Sequence, residues 1–233
     1  MARTPGGPAD VLRQIPMILA KDLLIEWRAR SRAFALACFA LTLLLLFSFA
    51  VGADAATLRA HAGAYLWMSV LLSSTLLLAQ SLQHEVEGGA LDTLTLAPVS
   101  PAALFYGKAL ANAAQLVLLT AVALPPVIAL FDAPVKEPLG LLVLVSVLGC
   151  AGVAAPGTLY AALTARLASK QLLLPLLLFP LIVPCLLASV KATSLLMSGD
   201  PMGQVGSWLG LLLAFDVLYW SLCGLLFGRV IAA

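Results

Sequence analysis

The sequence predicts an all-α polytopic membrane protein with six transmembrane helices, an N-terminal amphipathic interfacial helix, and a short cytoplasmic helix between the second and third spans. Three observations carry that prediction. Hydrophobic residues make up 62% of the 233 positions and charged residues only 10%, against roughly 25% charged in a soluble domain. Mean hydropathy is +1.06, more apolar surface than a single soluble core of this size hides. The apolar residues fall in six long runs, at 33–51, 62–82, 104–131, 139–164, 172–190 and 207–227. A run of about 20 residues rising ~1.5 Å each crosses ~30 Å of hydrocarbon.

The elements follow in order. No cleavable signal pattern is expected, because Pro5, Gly6, Gly7 and Pro8 precede a charged stretch; the first residues are expected to be disordered. Residues 11–32 place Ile15, Ile18, Leu19, Leu23 and Trp27 near helical spacing, with Lys21, Asp22, Glu26, Arg28, Arg30 and Arg32 between them. That is too charged to span. It fits a basic amphipathic helix on the membrane surface with Trp27 at headgroup level, or a basic stop before the first span. Residues 1–32 thus form a cytoplasmic tail and surface helix, and 33–233 a single six-helix domain.

A polar loop with Asp54, Arg59 and His61 is expected after the first span, and Tyr65 and Trp67 mark the start of the second. Pro125-Pro126 should break or kink the third, since proline lacks the N–H and clashes with the preceding turn. A short loop carries Asp132, Lys136 and Glu137. Gly149, Gly152 and Gly157, with Ala151, Ala154 and Ala155, give the fourth span a small-residue face suited to close packing. A basic loop, 166–170, comes next. Pro175, Pro180 and Pro184 interrupt the fifth span, and a loop over 191–206 has room for a short re-entrant or interfacial helix.

Topology follows from counting. Six spans leave both termini on one side, which then holds ten of the thirteen Lys and Arg residues, against Arg59, Lys136 and Lys191 on the other. The bias assigns the basic side, both termini and the segment 83–101 to the cytoplasm.

That segment, QHEVEGGALDTLTLAPVSP, is the longest interruption between spans. Glu85 and Glu87 precede the helix-terminating Gly88-Gly89. Leu91, Leu94 and Leu96 then form an apolar edge beside Asp92, closed by Pro98. Exposed leucines on a connector point to a protein-docking helix; a plain solvated connector is the alternative. There is no GxxxxGK[ST], GxSxG or HExxH motif, and His61 and His84 fall at opposite membrane faces. The four cysteines lie inside apolar runs without a CxxC pair or a Cys/His cluster, so they read as small buried thiols, and no metal site is expected. Asp216 is the acidic residue well inside a span. At ~2.5–3.5 kcal/mol for a mid-membrane charge, it should face protein or water. Asp216, with the helix-breaking Pro180 and Pro184, is a candidate for a transport path or for helix pairing.

The stretch EVEGGALDTLTLAP, residues 85–98, resembles the segment acidic-Gly-x-Leu-acidic-x-Leu-x-x-x-Pro of ABC-2-type permeases. The likeness is greatest to the haem exporter protein B (CcmB) family, the permeases of cytochrome c maturation. Lys108 sits where that family has a Lys opening the next span. Ala162-Leu163-Thr164, the run 178–184 (LFPLIVP) and the N-terminal KDLLIEWRARSR resemble further family features. The sequence departs from the family at 166–170, where RLASK replaces a basic-Gly-Gly pattern, at Phe179, and at Asp92, where Glu is common. The resemblance implies a permease that is not itself an enzyme. It implies ATP hydrolysis by a separate ABC ATPase subunit docking at Glu85, Glu87, Gly88, Leu91, Asp92, Leu94 and Pro98. It further implies a second copy of the chain and haem-handling membrane subunits as partners, haem as a possible cargo, and release of a haem-loaded chaperone on the outer face of the bacterial inner membrane. No directly bound cofactor and no nucleic acid is expected. Two alternatives stand beside this: an ABC-2 permease for a lipid, glycan or drug, and a non-transporting membrane scaffold.

Overall fold

The computed structural model describes residues 8–52, 54–81, 100–164 and 170–232. The N-terminal tail, most of the segment 83–101, including Glu85, Glu87, Gly88, Leu91, Asp92, Leu94 and Pro98, and most of the basic loop 166–170 lie outside them. Seven helices make up the described chain: α1 (Pro8–Arg28), α2 (Arg30–Val51), α3 (Ala55–Ser81), α4 (Pro101–Leu130), α5 (Leu139–Thr164), α6 (Lys170–Ser198) and α7 (Val205–Ala232). No strand occurs among the described residues. Six helices, α2 to α7, are long and apolar enough to cross a membrane.

Successive spans reverse direction. Arg59 near the start of α3 pairs with Asp132 beyond the end of α4, and Lys108 near the start of α4 reaches the Ser81 carbonyl at the end of α3. The α4 and α5 helices lie antiparallel through Asn112 and Thr158 (2.9 Å). One end of the bundle therefore collects α1, the starts of α2, α4 and α6, and the ends of α3, α5 and α7. The opposite end holds three tight turns. In them Lys136 Nζ donates to the Ser198 carbonyl at 2.9 Å, and Asp200 accepts from the backbone N–H of Val205 (2.8 Å) and Gln204 (2.9 Å).

The centre belongs to α3 and α5. About half of each apolar window is buried, 56% and 50%, against 17% for α2 and 22% for α7. In lipid there is no hydrophobic gain from bringing two apolar helices together, so small residues that allow backbones close are what hold a bundle. At Gly149 an added Cβ would overlap the Trp67 ring and come 2.6 Å from Ser189 Oγ. At Gly152 it would overlap Cys185 Sγ. The small face of α5 thus admits Trp67 from α3 and Cys185 and Ser189 from α6. Trp67 is 1% exposed and donates Nε1–H to Thr193 Oγ1 at 2.9 Å.

Several expectations need correction. Arg59 and His61 are not in a loop, because α3 begins at Ala55 under an Asp54 cap that accepts from the N–H of Ala56 (3.1 Å) and Thr57 (3.2 Å). The earlier start moves Trp67 from the entry of the span, where the sequence put it, into the interior. Pro125-Pro126 do not end α4, and Pro175, Pro180 and Pro184 do not interrupt α6; both helices continue through them. The loop expected over 191–206 shrinks to the turn between Ser198 and Val205, without a re-entrant helix, and Lys191 sits exposed on α6. A long lysine stem lets the ammonium reach toward the interface from there. The charged N-terminal helix ends at Arg28, so Arg30 and Arg32 open the first span.

Two tests follow from this packing. Gly149→Ala should lower stability by about 1–3 kcal/mol through overpacking in an unfolding titration in mixed micelles. Gly140→Ala, with nothing within 4 Å of its added Cβ, should leave it unchanged. The N–H groups of Val205 and Gln204 hold the Asp200 carboxyl below the usual carboxylate range. A lowered folded-state pKa stabilises above the unfolded value, ~3.9, and that contribution is lost as pH falls through the folded value. The protection factor of the Val205 amide, its exchange rate corrected for the intrinsic pH dependence, should therefore be the same at pH 5 and pH 8 and fall below about pH 4. Asp200→Ala should lower it throughout.

Candidate functional site

The described residues that flank the segment 83–101 converge on α1. Ser100 caps α4, its hydroxyl accepting from the Ala103 N–H at 3.0 Å, with Pro101 at the first helical position. Its own N–H donates to Gln14 Oε1 of α1 at 3.0 Å. On the other flank the Ser81 carbonyl, at the end of α3, accepts from Lys108 Nζ at 3.4 Å.

Lys108 lies about two turns inside α4 and is 1% exposed. A bare ammonium cannot be left unpaired at such a position. Among the described residues it is paired with Asp22 of α1, with Nζ 3.2 Å from Oδ2, while Lys21 Nζ lies 3.2 Å from Oδ1 of the same carboxylate. One turn before Asp22, Ile18 packs on Gly107, where an added Cβ would come 2.7 Å from Ile18 Cγ2. The contacts Gln14–Ser100, Ile18–Gly107 and Asp22–Lys108 advance together along both chains. So α1 runs beside the first turns of α4, parallel to it, fixed by a buried ion pair and a close backbone approach.

Next to the pair is a polar cavity of about 220 Å³, lined by Asp22, Glu26 and Arg32, by Gln80 and Ser81 of α3, and by Lys108 and Asn112 of α4. Arg32 reaches Glu26 at 3.4 Å, and Asn112 Nδ2 donates to Thr158 Oγ1 of α5 at 2.9 Å. Gln80 Oε1 is buried with no hydrogen-bond partner among the described residues. Carboxylates, an ammonium and a guanidinium face one another here.

Asp216 is placed differently. It lies on α7 over the Gly152 backbone of α5, where an added Cβ would be 2.9 Å from Oδ1 and would also overlap Cys185 Sγ of α6. It is 7% exposed, and neither carboxyl oxygen has a hydrogen-bond partner among the described residues. Pro180 and Pro184 occupy the exposed side of α6, whereas Ile182 and Cys185 face inward. The three candidates for a transport path or for helix pairing therefore do not converge. Cys150, Cys185 and Cys223 are buried free thiols, and among the described residues no group of three His, Cys, Asp or Glu side chains could hold a metal ion.

The Lys108–Asp22 pair went unrecognised in the sequence. Lys108 appeared only as a family-like feature, and Asp22 as one of several charges on a surface helix. The available signal was a single cation within the otherwise uncharged apolar run 101–130.

The fold and this end cluster define a multi-pass helical membrane protein in which a charged N-terminal helix is built into the bundle beside the end of α3 and the start of α4. The CcmB protein family model matches residues 13–230, and the chain belongs to that family. It is 35% identical over 170 residues to heme exporter protein B of Rhodobacter capsulatus, covering 73% of this chain and 78% of the relative. To heme exporter protein B of Bradyrhizobium diazoefficiens it is 32% identical over 184 residues, 78% and 82% of the two chains. To that of Paracoccus denitrificans it is 34% identical over 187 residues, 79% and 85%.

Lys108→Met alone should cost about 3–5 kcal/mol in unfolding titrations, because Asp22 is left without its main partner. Combining it with Asp22→Leu should restore a large part of that loss. Additive losses in this double-mutant cycle would remove the pair from its central place.

Proposed function

We propose that this chain is the permease subunit of an ABC-type haem exporter in cytochrome c biogenesis. A separate ATPase subunit docks on the segment 83–101, and its cycle drives release of a haem-loaded chaperone on the outer face. The subunit works with a second copy of itself and with haem-handling membrane subunits, in the bacterial inner membrane with both termini in the cytoplasm. Support for the haem reading comes from the relatives named heme exporter protein B.

The single observation that carries the coupling reading is that both described flanks of the segment, Ser81 and Ser100, are bonded into the α1–α4 cluster. A push on the segment therefore has a route into two helices, one of them a span that packs on α5. The acids Glu85, Glu87 and Asp92 and the edge Leu91 and Leu94, between Gly88 and Pro98, offer an ATPase both charge and apolar contact. The excess of Lys and Arg at the α1 end supports a cytoplasmic placement of that end.

The experiment is mutational. Glu87→Lys and Leu94→Asp should insert normally and abolish c-type cytochrome maturation, with the ATPase subunit no longer co-purifying or no longer coupled. Normal cytochrome maturation in both variants would defeat the docking reading. Retention of the ATPase together with loss of a lipid or glycan export phenotype, and intact cytochromes, would favour another cargo.

A further inference from the structure

A second concavity, adjoining the polar cavity at Glu26 and Gln115, opens where α1 meets α2. The helix is broken at Ala29 (φ −87°, ψ 49°), which has no side-chain cap. The resulting elbow stands off from α4 and leaves a groove of about 560 Å³ lined by Leu23, Trp27, Arg30, Ala33, Ala114 and Leu118. It continues through Ala33 and Leu118 into a narrower apolar groove of about 150 Å³ that reaches Leu36 and Val122. From Ala114 to Val122 the wall descends eight residues of α4, about 12 Å at ~1.5 Å per residue, into the spanning region.

The two ends of this groove differ in chemistry. The deep part is apolar apart from Glu26 and Gln115. At the mouth, Arg30 lies with its guanidinium carbon 5.8 Å from the centre of the Trp27 ring, and it forms no ion pair among the described residues. Glu26, the acid that also lines the mouth, is engaged by Arg32 at 3.4 Å. Trp27 is 71% exposed, the placement of an indole at headgroup level. An apolar slot leading down from an uncommitted arginine and an indole matches an acyl chain below a phosphate.

We propose that the groove between the α1–α2 elbow and α4 is a binding site for an anionic phospholipid, with one acyl chain along Ala114, Leu118 and Val122 and the phosphate against Arg30. A guanidinium suits phosphate geometry. The lipid would fill the wedge between a charged helix and a span, beside the cavity that holds the Lys108–Asp22 pair. The site is independent of haem export and of ATPase docking.

The test uses the full-length chain, purified in mild detergent and reloaded with phosphatidylglycerol, with retained lipid counted by native mass spectrometry. Wild type should retain the lipid. Arg30→Gln, at an exposed position that does not endanger folding, should weaken retention about fivefold, as expected for one basic contact to an anionic headgroup. Ala114→Trp, which fills the groove while keeping Arg30, should abolish retention with an unchanged elution profile. Excess inorganic phosphate should not displace the lipid. Equal retention in wild type and both variants overturns the proposal. Displacement by inorganic phosphate alone reduces the site to an anion contact and equally overturns it. So does efficient Leu118→Cys cross-linking between two copies, which would place a second copy in the groove.

Discussion

A buried ammonium sets the geometry of one whole end of this bundle. Lys108 is 1% exposed in a helix of otherwise apolar character, so its charge must be met within the protein. The group that meets it comes from outside the six spans. Asp22 can reach Nζ only if α1 lies along the first turns of α4, and that alignment is what brings Ile18 onto Gly107 and Gln14 to Ser100. The orientation of the N-terminal helix is therefore dictated by electrostatics inside the bundle as much as by attraction to the membrane surface.

The middle of the molecule obeys a different rule. There α5 offers almost no side chain at Gly149 and Gly152, and its neighbours close onto its backbone. Such contacts are gained only at short range, so α3, α5 and α6 form the rigid part. The outer helices α2 and α7 bury far less of themselves. Asp216 and Ser189 are exceptions in this region, a carboxyl and a hydroxyl held against glycines with no hydrogen bond from those oxygens among the described residues. Polar groups left so are costly in a dry interior, which sets them apart from the hydroxyls that bond back to their own helix, such as Thr120 to Leu116 and Thr158 to Ala154.

The span number and order were legible because a membrane requires about twenty apolar residues at a time, a signal that survives without any tertiary information. Helix ends were less legible. Lys191 reads as a loop residue by charge, yet α6 passes through it, since a lysine near a span end can extend to the interface. The prolines of α4 and α6 read as breaks by local backbone chemistry, but in lipid the alternative to helix is unsatisfied backbone, and the helix persists. Trp67 reads as marking the start of the second span, while its place is decided by the absent side chain at Gly149 on another helix. For the same reason the Lys108–Asp22 pair could not be read: the residues are 86 positions apart, and nothing in either local sequence specifies the other. The segment 83–101 was the reverse case, conspicuous as sequence because its composition belongs to neither span.

The separation of that pair also has a direction in time. The ribosome makes Asp22 first, 86 residues before Lys108. The acid that the finished fold sets against a buried lysine is thus always synthesised before the lysine itself.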